Sequence, residues 1–131
     1  MLGFDIADDI IVVADFEAGI GTLTRLGEIR VDAVVVVAEP TVKSLEVASR
    51  AASLAHHHTS GPVVVVANRI TGAADRALVE AALPGRTVLL LVPDDPAIPA
   101  ADRQDRAPLD ASPDSPAVLA LCSLAPLLLP G

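Results

Sequence analysis

The sequence predicts an α/β fold: an open parallel sheet with flanking helices. Three observations lead there. Short uncharged runs of β-branched and aliphatic residues recur at 10–14, 34–38, 63–67 and 87–92. These runs are continuous rather than alternating, and a strand apolar on both faces belongs to a parallel sheet covered on both sides. Between the later runs lie segments whose apolar residues step by three and four, the helical period. Polar residues follow each run directly, at the edge where an open parallel sheet presents its ligand site.

The first expected strand, residues 10–14, reads Ile-Ile-Val-Val-Ala and ends in Asp15, followed by Phe16-Glu17-Ala18-Gly19. The second, Val34–Ala38, is led in by Val31-Asp32-Ala33 and ends in Glu39-Pro40-Thr41. A helix over about 41–57 follows, because Val42, Leu45, Ala48, Ala52 and Ala55 fall on one face. Thr41 suits its N-cap and Gly61 lies beyond its end. The third strand, 63–67, starts after Pro62 and ends in Asn68-Arg69. A second helix over 73–83 is closed by Pro84-Gly85. The fourth strand, 87–92, ends in Pro93-Asp94-Asp95. Residues 95–116 are rich in Pro, Asp and Ala and read as a loop, with one helical turn near 100–104. The apolar stretch 117–129 reads as a C-terminal helix that Pro126 breaks or kinks.

Composition bounds the function. At 131 residues the chain forms one domain, and 52% hydrophobic content suffices for a core built from Val, Leu, Ala and Ile. A net charge of −8 argues against nucleic acid and anionic membrane surfaces as partners. One cysteine excludes an internal disulfide framework and fits a reducing, cytoplasmic setting. No long uncharged apolar run predicts a membrane span, and the N-terminus has no secretory pattern.

The strand-end residues carry the chemistry. Asn68 has a carboxamide that accepts from an exocyclic amine and donates to a ring nitrogen, the pairing that reads adenine; its other role is that of a turn residue. Pro93-Asp94-Asp95 is placed to close over the same base edge, and with Pro96 it is also a good turn sequence. A carboxylate at a partly buried strand tip, as expected for Asp15, calls for a divalent cation. His56-His57-His58 are consecutive, so on a helix they point about 100° apart and do not converge on one ion. Cys122, among Ala120, Leu121 and Leu124, reads as a small buried hydrophobe.

These pieces, in this order, resemble the C-terminal part of a ParA/MinD-type P-loop ATPase, and within that family the CooC-like nickel-insertion ATPases. The resemblance is carried by Asp15-Phe16-Glu17-Ala18-Gly19 with Leu23 and Arg25, the Val-rich strand with Glu39-Pro40-Thr41, and Ser44-Leu45-Glu46. It continues through Asn68-Arg69-Ile70, Val92-Pro93-Asp94-Asp95, Ala101-Asp102 and Ala107-Pro108. It implies an incomplete P-loop NTPase of three α/β/α layers, with ATP or ADP and Mg2+ as ligands. Asp15 would support Mg2+ indirectly, Gly19 would sense the γ-phosphate, and Asn68, Pro93, Asp94 and Asp95 would border adenine. Sandwich dimers, metal delivery and cargo positioning are the family's roles.

The departures shape the expectation. A Gly-rich phosphate loop is missing, and the only lysine is Lys43. The family's Cys-containing interface segment is missing too, and Gly21-Thr22 stands where CooC-like chains have Glu-His. The chain is therefore expected to be an N-terminally truncated domain without catalytic residues of its own. It is expected to associate through open sheet edges, as a homo- or hetero-oligomer, with a P-loop-bearing subunit as one possible partner. The alternative is a non-catalytic interaction module or a fragment that binds no nucleotide.

Overall fold

The computed structural model describes residues 10–16, 30–83, 85 and 87–129. Within them run β1 (Val34–Ala38), α1 (Val42–Ala55), β2 (Val63–Ile70), α2 (Ala73–Ala82), β3 (Val88–Pro93), α3 (Ala97–Arg103), α4 (Pro108–Ala111), α5 (Pro116–Cys122) and α6 (Ala125–Leu128). The strands form one three-stranded parallel sheet in the order β1-β2-β3. The α/β class and the parallel sheet thus stand as the sequence predicts.

β2 is central, and its composition explains why. Val63 through Ala67 are all buried, so no side of the strand faces water. Its side chains alternate between two cores. Val63, Val65 and Ala67 pack with Leu45, Ala48, Ala52 and Ala55 of α1 and Val79 of α2. Val64 and Val66 pack on the opposite face with Val92 and Ala117, joined by Leu90, Ile98, Ala120, Leu124 and Leu128.

Thr41 caps α1 as its sequence suggests, accepting from the Ser44 N–H at 3.2 Å. The Ser44 hydroxyl returns a bond by accepting from Glu39 N–H at 3.0 Å. The helix ends at Ala55, two residues short of the expected end, and residues 56–58 form a turn. Gly61 lies so close to the Asp32 carbonyl oxygen that a Cβ there would collide with it. That close approach brings Pro62 against β1, where its carbonyl accepts from Val34 N–H at 3.0 Å.

Three expectations need correction. Residues 10–14 form no strand: 10–16 lack regular structure, and Ile10 through Val13 are exposed. An apolar run becomes a strand only where a neighbour takes up its backbone groups, and no described strand pairs with this one. The segment 95–116 is not a loop, since it holds α3 and α4. Its prolines start helices rather than prevent them: Pro108 opens α4 and Pro116 opens α5, where a missing N–H costs nothing. The expected helix 117–129 is two, with the break at Ser123-Leu124 and Pro126 in the first turn of α6. No helix among the described residues is long and apolar enough to cross a membrane.

Candidate functional site

The C-terminal ends of the three strands deliver Glu39, Asn68-Arg69 and Pro93-Asp94-Asp95 to one edge of the sheet. At the end of β2 the ladder is irregular. Its register with β3 shifts between Ala67 and Ile70, and Arg69 adopts a left-handed φ of 61°. This conformation is uncommon for a residue with a side chain and is worth explaining. It turns the Arg69 guanidinium across the sheet edge. Nη1 lies 3.5 Å from Glu39 Oε1 and Nε lies 3.6 Å from Asp94 Oδ1. All three side chains are more than half exposed, so these pairs set geometry more than they add stability. Ladder contact resumes where Asp94 N–H donates to the Ile70 carbonyl at 2.9 Å.

A groove of about 450 Å³ opens at this edge. Asn68, Pro93, Asp94 and Asp95 line it on the strand side, and Ile98 and Arg106 line it on the helical side. The Asn68 carboxamide oxygen accepts from Arg69 N–H at 3.0 Å, which orients the group. Among the described residues its second lone pair and its two N–H donors remain for a ligand. Arg106 is steadied by donating to the Asp110 carbonyl at 3.1 Å.

Asp95 behaves differently from its neighbours. It is buried, with Oδ1 accepting from Ala97 N–H at 2.9 Å and Oδ2 from Ala117 N–H at 3.0 Å. Those bonds, Ala117 first and Ala97 second, hold its carboxyl below the usual carboxylate range and outweigh the opposing effect of burial. Its side chain is therefore committed to two helix starts, and what it offers a ligand is a fixed groove wall.

The sequence thus brings Asn68, Pro93, Asp94 and Asp95 together at one site. Asp15 does not join them: it is exposed and does not line the groove. Gly19 lies outside the described residues. No group of three or more His, Cys, Asp or Glu among the described residues is arranged as a metal-ligand set. Asp15, the carboxylate that the resemblance assigns to Mg2+, is thus exposed and stands apart from the groove. Cys122 is exposed, against expectation, because the buried residues of α5 are Ala117 and Val118 in its first turn. Arg106 and Ile98 escape a sequence reading. Nothing local marks them, since α3 must first fold back beside the strand ends.

No protein-family model matches this chain, and no curated protein matches it either. The likeness to ParA/MinD-type ATPases therefore rests on the ordered residues themselves.

Proposed function

We propose that this chain is a nucleotide-binding half-domain that holds an adenine base at the ends of β2 and β3 and leaves the phosphates to another segment or subunit. The observation that carries the reading is the groove in which Asn68, Pro93, Asp94 and Asp95 meet. A partly enclosed groove that presents one oriented carboxamide suits a planar base bearing an exocyclic amine. The Arg69 contact with Asp94 joins the ends of β2 and β3 that frame it.

Triphosphate affinity comes chiefly from backbone N–H groups and a lysine in a Gly-rich loop. The residues of this sequence contain no such loop, and Lys43 is exposed at the start of α1. Binding by the chain alone is therefore weak, and hydrolysis, which needs the γ-phosphate charge stabilised, falls to a completed site. A second reading, an interaction module working through its sheet edge, is favoured by the exposed Val35 and Val37 on β1.

Thermal melts followed by circular dichroism test the first reading, since the chain has no Trp or Tyr to report by fluorescence. At a nucleotide concentration equal to Kd the native state gains RT ln 2, about 0.4 kcal/mol, or roughly 1–2 °C. MgATP and adenosine at millimolar concentration should raise the midpoint by that order, and Asn68→Ala should abolish the rise. An unmoved midpoint, together with no saturation-transfer NMR signal from adenosine, would leave the interaction module as the better reading.

A further inference from the structure

The way α3 ends puts a guanidinium in the groove. The helix closes in a Schellman cap: Asp105 N–H donates to the Asp102 carbonyl at 3.0 Å, and Arg106 N–H donates to the Ala101 carbonyl at 3.1 Å. Asp105 supplies the left-handed residue, with a φ of 52°. The residue after it in such a cap is commonly apolar and packs back on the last helical turn. Here it is Arg106, which lines the groove. On a continued helix Arg106 would stand one turn beyond Asp102, where opposite charges pair. The left-handed turn breaks that spacing, and Arg106 forms no ion pair among the described residues.

Composition supplies a second, independent observation. A planar base gains affinity by stacking its faces on flat side chains, aromatic rings or guanidinium planes. The chain has no Trp or Tyr, and no aromatic residue is among the described residues that line the groove. The largest flat groups there are the guanidiniums of Arg69 and Arg106. Arg69 is drawn along the sheet edge by Glu39 and Asp94. The Arg106 side chain has one bond among the described residues, from Nη2 to the Asp110 carbonyl at 3.1 Å. A bond at the edge of a guanidinium fixes its plane and leaves its faces open.

We infer that Arg106 is the stacking group for the base. Asn68 reads the edge of the base from the strand side, and the Arg106 guanidinium lies against its face from the helical side. This inference rests on the proposed function and adds to it the residue that takes the place of an aromatic ring. Asp94, Asp95 and Asp102 line the same groove, and their charge disfavours an anion beside Arg106. The contact therefore suits the uncharged base rather than a phosphate. A lysine cannot replace it, because an ammonium is a point charge without a plane.

Adenosine, which carries no phosphate, tests this when titrated into the full chain and followed by NMR. On binding, the Arg106 side-chain protons should shift upfield, as protons over a ring face do, and Asn68→Ala should remove the shift. Arg106 is exposed, so substituting it removes no buried contact. Arg106→Lys keeps the charge and loses the plane, and it should weaken adenosine about threefold to fivefold, the size of an exposed cation–π contact. Arg106→Tyr loses the charge and keeps a plane, and it should bind within about twofold of the parent chain. Both ratios should be the same for AMP, and the same at about 10 and 150 mM NaCl. Asn68-dependent binding of adenosine with Arg106→Lys at parental affinity, or with no upfield shift, would overturn this inference and leave the proposed function standing. So would a loss confined to AMP, which would make Arg106 a phosphate contact. No binding of adenosine to the parent chain would remove both.

Discussion

Both oxygens of Asp95 accept backbone N–H groups, so one carboxylate serves the starts of α3 and α5. At α5 the accounting is complete: Pro116 has no N–H, Ala117 donates to Asp95, and Val118 donates to Ser115 Oγ at 3.4 Å. A carboxyl held below its ordinary value contributes stability that is present above the unfolded value and is lost as pH falls through the folded one. With an unfolded value of about 3.9, the contribution of Asp95 is complete near neutral pH and fades below about pH 4. Asp95→Ala should therefore lower the thermal midpoint at neutral pH by at least about 5 °C, the size of a lost cap on a small domain. The gap from the parent chain should narrow as the pH is taken below about 4. Circular dichroism melts across that range check both statements. The Asp94-Asp95-Pro96 sequence announces a turn, but not this role: Ala117 lies 22 residues further on, and only the folded chain joins the two. Asn68 and Asp94 were legible because they follow an apolar run directly, which is where a parallel sheet shows its ligand edge.

At the scale of elements, α1 shows how periodicity becomes stability. Leu45 is 1% exposed between β1 and β2, whereas Val42, three residues earlier on the same helix, is 72% exposed. Leu45→Ala should cost about 2–5 kcal/mol in urea unfolding, the range for a large side chain removed from a core. Val42→Ala should stay within about 0.5 kcal/mol. The same periodicity made α1 and α2 readable in advance, and the unbroken valines did so for β1, β2 and β3. Sequence reading failed where the outcome depends on partners or on position within a helix. Residues 10–14 have strand composition, yet they stand unpaired because composition supplies no ladder. The prolines at 108 and 116 look like breakers, yet at the first turn they lose no hydrogen bond. The end of β2 was set three residues early, because Asn68 and Arg69 are polar while the strand runs on to Ile70 through its irregular register.

For the molecule as a whole, charge and topology matter most. Seventeen acidic side chains against nine basic ones leave a net −8 on a chain of 131 residues. Self-repulsion of that kind weakens a compact state and is screened by salt. Raising NaCl from about 10 to 150 mM, which shortens the screening length from roughly 30 to 8 Å, should raise the melting midpoint. A flat response would mean that local ion pairs such as Glu46–Arg50, at 2.6 Å, already balance the surface.

The sheet order β1-β2-β3 is also the order of the chain. Each strand finds its neighbour in the one made just before it, and α1 and α2 cover one face along the way. Assembly can therefore keep pace with synthesis on the ribosome. β1, α1 and β2 form a first packed unit, β3 adds to a waiting edge, and α3, α5 and α6 then seal the opposite face. None of the described strands must wait for a distant one to emerge, which shortens the time that its apolar surface spends open to other nascent chains.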